Sequence, residues 1–158
     1  FRFADANNAY IGKREGSIYI TPSGKFAVFE PGVDIGNSIP VYVTFEFTQI
    51  PQWMTVLQEK INQLQVLVSN ITLANEDTSP RLSAVIKNNS FFVIKEINVI
   101  AILYDVNHNA VSASRTYLDV LNPEETRVIN FTWPEPFVTP IIVKEIIPIY
   151  NIFSAQLE

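Results

Sequence analysis

The chain has no cysteine, one histidine and one methionine, and all five of its glycines fall before residue 37. Without cysteine there is neither a disulfide framework nor a thiolate metal site. This fits the cytosol, and fits equally the many bacterial surface proteins that do without disulfides. Charge is also sparse: 17% of residues are charged, with 11 basic against 16 acidic side chains and a net charge of −5. No basic run exists to neutralise a phosphate backbone, so nucleic acid is not an expected partner. No window holds 18 uninterrupted apolar residues, so none of these segments is a candidate bilayer span, and membrane attachment is expected only through a segment outside this fragment.

What is present is apolar. Hydrophobic residues make up 47% of the chain, broken by ten prolines. Such a composition excludes disorder and suits a protein made mostly of strands. Laid against itself with a shift of about 100 residues, the chain matches. Phe3-Ala4-Asp5-Ala6-Asn7-Asn8-Ala9-Tyr10-Ile11 lies over Leu103-Tyr104-Asp105-Val106-Asn107-His108-Asn109-Ala110-Val111. Ile20-Thr21-Pro22 then lies over Leu121-Asn122-Pro123, and Pro40 and Val43 over Pro140 and Val143. A period of about 100 is too long for a solenoid and suits a β-sandwich domain.

The expected fold is therefore all-β: tandem immunoglobulin-like β-sandwiches, the first incomplete at its N-terminus. Residues 1–53 would be a partial sandwich holding the C-terminal strands, 54–63 a linker, and 64–154 a complete sandwich domain. The first residue is Phe rather than Met, so the chain reads as a mature or trimmed fragment, with Leu157-Glu158 a candidate remnant of cloning.

In the second copy, period-2 alternation and β-branched runs mark strands near 64–73, 81–88, 93–104, 111–120, 126–132 and 140–147, with a short one near 149–153. Leu82, Ala84 and Ile86 alternate with Arg81, Ser83, Val85 and Lys87, one face buried and one wet. Val99 to Tyr104 is apolar on both faces and reads as a central strand. Turns there cannot use glycine, so Asn107 and Asn109 are the candidates for positive φ. The first copy offers strands near 1–4, 10–20, 25–30 and 40–48. Met54, Leu57, Ile61, Leu64 and Val68 form a helical stripe. A short helical or irregular linker over 52–62 accommodates it, because Leu64 to Leu73 is also wanted as a strand; a longer helix is the alternative.

Val85-Ile86-Lys87-Asn88-Asn89-Ser90, Ile102-Leu103-Tyr104-Asp105 and Val128-Ile129-Asn130-Phe131-Thr132-Trp133-Pro134 together resemble the FxLYD-type domains of bacterial envelope proteins. The likeness is to the uncharacterised membrane-anchored tandem β-sandwich proteins of small-genome bacteria, in which an N-terminal helix precedes two such domains. It covers most of 64–153 and, more weakly, 1–53. In that pattern an asparagine closes the second strand and "LYD" ends the central one. The leading Phe of the motif is Ala101 here, whereas Phe1-Arg2-Phe3-Ala4-Asp5 keeps the Phe and loses the Tyr. The resemblance implies an extracytoplasmic, tethered module, and a fold-level likeness licenses no activity.

Candidate chemistry is thin. His108 lies beside Asp105, and a Ser-His-Asp arrangement with Ser112 or Ser114 would need rigid hydrogen-bond geometry beside an oxyanion site; an exposed hairpin turn is the alternative. Asp105, Asn107 and Asn109 have the spacing that opens a calcium loop, but its sixth position is Ala110 and its twelfth is Thr116. The same spacing arises where Asp accepts backbone N–H bonds in a turn. Glu96, Glu124, Glu125, Glu135 and Glu145 could furnish a glycosidase pair, yet no spacing selects one. Three glycosylation sequons, at Asn70, Asn88 and Asn130, arise by chance in a chain this rich in Asn, Ser and Thr. Trp133, Pro134 and Phe137 could form an exposed interface or close the bottom of the core.

The expectation is a non-catalytic structural or protein-interaction module, without cofactor, with a protein partner or self-association covering the incomplete first copy. A glycan- or peptide-binding sandwich is the alternative, which an exposed aromatic pair beside Asn and Asp would support.

Overall fold

A computed structural model describes residues 1–18 and 25–157. Among these the chain is mostly antiparallel strand in three small sheets, with one short helix. It divides into two compact units, one of residues 1–18 and 30–55, the other of residues 25–29 and 56–157.

The larger unit begins with helix α1 (Gln58–Gln63), followed by β4 (Val66–Ala74), β5 (Arg81–Asn88), β6 (Phe92–Tyr104), β7 (Ala110–Leu121), β8 (Thr126–Thr132) and β9 (Val143–Ile149). A 3-10 turn (Ile152–Ser154) and the short β10 (Gln156–Leu157) close it. In β5 the alternation read from the sequence is realised. Leu82, Ala84, Ile86 and Asn88 are buried, while Arg81, Ser83, Val85 and Lys87 are not. One sheet runs β4-β5-β8. In the other, the long β6 pairs with β7 on one side and with β9 and β10 on the other, which makes it the central strand.

A single cluster fills the space between these sheets. It takes Leu82, Ala84, Ile86, Ile129 and Phe131 from β5 and β8, and Ile94, Ile97, Val99, Ala101, Leu103 and Leu121 from β6 and β7. Each sheet can bury its apolar face only against the other, so alternation on both produces a two-layer core. The opposite face of β6 is apolar as well. There Ile100 is 3% exposed, and Lys25 and Phe26 lie with Ile102, Tyr104, Glu145 and Ile147 around a groove.

The smaller unit contains β1 (Arg2–Ala4), β2 (Tyr10–Lys13) and β3 (Tyr42–Thr44), in the order β2-β1-β3. The strands expected over 10–20 and 40–48 are thus shorter, and residues 19 and 20 lie outside the described ones. Residues 25–30 form no strand. Lys25 instead pairs with Glu145 at 2.6 Å, and Phe29 packs under the Arg115 guanidinium.

The helical stripe from Met54 yields only the six residues of α1. The helix stops at Leu64 because the next residues are claimed by β4, whose Val66 pairs with Asn88. The final strand expected near 149–153 is mainly the 3-10 turn, capped by Asn151, whose side chain accepts the Phe153 amide.

Candidate functional site

The most informative local geometry is a turn that occurs twice. Asp105 donates its amide to the Asn109 carbonyl at 3.0 Å, and the His108 amide donates to the Asp105 carbonyl at 3.1 Å. One carboxylate oxygen, Oδ1, accepts the amides of Asn107 at 2.8 Å and Asn109 at 2.9 Å. One hundred residues earlier the amides of Asn7 and Ala9 donate to Asp5 Oδ1 at 2.8 and 2.9 Å. The backbone bonds recur there too, from Asp5 to Ala9 and from Asn8 to Asp5, both at 3.0 Å. Asn8 and His108 hold φ of 60° and 61°.

The strands leaving these turns match as well. Phe3 faces Gly12 and Ala4 faces Tyr10 across a bulge, as Leu103 faces Ser112 and Tyr104 faces Ala110. The third strand then pairs Phe3 with Val43 and Ala4 with Tyr42, and in the larger unit Leu103 with Lys144 and Tyr104 with Val143. Here the spacing is 101, so the structural counterpart of Val43 is Lys144, not the Val143 of the sequence alignment. Positive φ falls on His108 rather than on Asn107 or Asn109. Elsewhere in the larger unit it is carried by Asn70, Asn75, Glu96 and Glu124.

This geometry accounts for the calcium-like spacing. The Asp105 carboxylate is occupied by N–H donors, including the Asn109 side-chain amide on Oδ2 at 3.2 Å. Those donors, led by the Asn109 amide, hold its carboxyl below the ordinary value. The Asp5 turn keeps both backbone bonds with alanine in the place of Asn109, so these bonds are those of chain reversal. No group of three His, Cys, Asp or Glu able to hold a metal occurs among the described residues. His108 is exposed, and Ser112 and Ser114 lie opposite Leu103 and Ala101 on half-buried positions of β7.

The candidate carboxylates are spread over separate contacts. Glu124 pairs with Lys87, and Glu125 with Arg127 and Asn122. Glu145 accepts Lys25 Nζ at 2.6 Å and the Tyr104 hydroxyl at 2.9 Å. The Lys25 bond, then that of Tyr104, keeps the Glu145 carboxyl below its ordinary range, and the carboxylate in turn raises the Tyr104 phenol. With His108, Val143 and Lys144 these two residues line an open groove of about 330 Å³. The Lys25–Glu145 pair spans 120 residues of sequence and left no local signal.

Asn88 is the best-buried polar side chain, at 0% exposure. Its Nδ2 donates to the carbonyls of Phe92 at 2.7 Å and of Leu121 and Asn122 at 3.0 Å, while its Oδ1 accepts Ser90 Oγ at 2.6 Å. It therefore ties together two of the places where the chain passes between sheets, β5 to β6 and β7 to β8. Its role is structural, and its burial removes the Asn88 sequon from any surface.

Trp133 and Phe137 are half-buried, pack against the core, and meet edge to face at 5.3 Å. Pro134 is exposed. Backbone bonds from Trp133 to Pro80 and from Phe137 to Glu76 anchor the segment. The indole Nε1 of Trp133 is buried with no hydrogen-bond partner among the described residues.

Exposed apolar side chains collect elsewhere. Phe1 meets Phe45 at 5.7 Å and Phe45 meets Phe47 at 5.1 Å. Val43, Phe45 and Phe47 are 51–55% exposed. Arg2 pairs with Glu46 at 2.8 Å from the alternate positions, so charge is kept off the phenylalanine face. No protein-family model and no curated protein matches the chain.

Proposed function

We propose that the chain is a non-catalytic, extracytoplasmic structural or protein-interaction module of a membrane-anchored envelope protein. In this reading it is built from tandem immunoglobulin-like β-sandwiches, the first incomplete. The observation that carries the reading is the duplicated turn, bulge and third-strand pairing at spacings of 100 and 101 residues. A duplicated scaffold in which Asp5, Asp105, Glu124, Glu125 and Glu145 are engaged in turns and ion pairs supports spacing and docking better than turnover. The FxLYD resemblance agrees in kind, because Asn88, Tyr104 and Asp105 all act on strand ends and crossings.

A second reading, glycan or peptide binding, has one observation in its favour. Tyr10 and Tyr42, 63% and 51% exposed, lie in one cross-strand row on either side of Ala4, beside the Asp5–Ala9 turn. Exposed tyrosines across a small residue can stack on the C–H face of a sugar or on a peptide side chain.

Protease treatment of intact cells carrying the full-length protein, read with an antibody against residues 56–157, tests the leading reading. Digestion without lysis is expected, and protection until the cells are lysed would overturn the extracytoplasmic placement. Chemical-shift changes confined to the Tyr10 and Tyr42 rows on adding cell-wall oligosaccharide would favour the second reading.

A further inference from the structure

Val99 to Tyr104 is apolar on both faces, and the two-layer core of the larger unit covers only one of them. The other side of the sheet carries Ile100 and Ile102 of β6, Arg115 of β7, and Glu145 and Ile147 of β9. Ile100 lies opposite Arg115 and Ile147, and Ile102 lies opposite Glu145. The demand for a cover is thus written in β6 and β9 themselves. Ile100 and Ile147 are buried, so the demand is met.

Residues 25–29, which belong to this unit, lie over that side. Lys25 Nζ meets Glu145 of β9 at 2.6 Å, Phe26 lies with Ile102 and Ile147 around the groove, and the Arg115 guanidinium of β7 sits 5.9 Å from the centre of the Phe29 ring. The segment therefore crosses the sheet from β9 over β6 to β7. Its hold is made by side chains: among the described residues, no backbone hydrogen bond joins 25–29 to the sheet. β7, by contrast, is paired with β6 along its length. The side-chain contacts lie near solvent, with Lys25 81% and Phe26 41% exposed, and beside Phe26 an open groove of about 400 Å³ stays unfilled. An exposed ion pair and an exposed cation–π contact are each weak.

We propose that residues 25–29 are a releasable strap over the outer face of the β9-β6-β7 sheet. Docked, the strap closes that face. Released, it opens a slot with Glu145 at one end, Arg115 at the other, and Ile100, Ile102 and Ile147 between them. The core beneath stays folded during release, because it is built from the opposite face of the sheet and from β5 and β8. Opening is then a local event of low cost, distinct from global unfolding. The inference goes beyond the module reading and does not depend on it, since every contact it uses lies within the larger unit.

Tryptic cleavage after Lys25 in the chain of residues 1–158, followed by mass spectrometry, tests it. A docked Lys25 is held on Glu145 and withheld from the protease, so cleavage there reports the released population. Cleavage after Lys87, inside β5 and next to the buried Asn88, reports unfolding of the core. The wild type should be cut after Lys25 much faster than after Lys87. Glu145→Gln and Phe29→Ser should each speed the cut after Lys25 by about threefold or more, with cleavage after Lys87 and the melting transition unchanged. If Phe29→Ser melts early, Arg115→Gln removes the same contact from the other side and takes its place. Equal rates after Lys25 in the wild type and the variants would show that nothing is docked. Cleavage after Lys25 only in step with Lys87 would make the segment a fixed part of the core. Either result would overturn the inference.

Discussion

At the scale of single residues, three positions bear much of the local structure. Asn88 satisfies carbonyls at the β5–β6 and β7–β8 crossings from a fully buried site. Asn88→Ala leaves those acceptors without a donor and should cost about 3 kcal/mol in denaturant unfolding. Asn88→Asp should cost more at neutral pH, because a carboxylate would face three carbonyl oxygens. His108 holds φ of 61°, a conformation that a β-branched residue tolerates poorly. His108→Val should therefore lower stability by about 1 kcal/mol, and His108→Asn should be neutral or slightly stabilising by the same assay. The third is Asp105, whose depressed carboxyl titrates with those of Glu125 and Glu145. For each, the folded pKa lies below the unfolded one, so its contribution is complete above the ordinary carboxylate range and is lost as pH falls through the depressed value. Stability should therefore be flat from neutral pH down to about pH 5 and fall below about pH 4. Asp105→Asn should make that acid limb shallower, as followed by circular dichroism.

At the scale of elements, the strands of the larger unit were legible because each buries one face and wets the other. Arg81–Asn88 shows this residue by residue, and Val99 to Tyr104 betrayed its central place by being apolar on both faces. The misses have physical causes too. Residues 25–29 carry strand-like composition, yet Lys25 and Phe29 find their partners in Glu145 and Arg115 through tertiary contacts that no local pattern encodes. The helical stripe ends early because β4 competes for its last positions. The candidate site was legible where it was repeated, at Asp5 and Asp105. The Glu145 cluster was hidden, since its three members come from distant segments. The equivalence of β1 and the end of β6 gives a direct comparison: Leu103→Ala, at 0% exposure, should cost about 3 kcal/mol. Phe3→Ala, on the open face, should leave the unfolding of the larger unit unchanged, as read by Trp133 fluorescence.

At the scale of the whole molecule, one pattern is used twice with different outcomes: closed around a core in the larger unit, open in the smaller. That contrast is the central claim, and hydrogen exchange read by mass spectrometry tests it most directly. Peptides over 82–104 should be strongly protected, since their amides open only with the core. Peptides over 1–4 and 42–47 should exchange much faster. Fast exchange at 82–104, or exchange at 1–4 and 42–47 as slow as that at 82–104, would contradict the account.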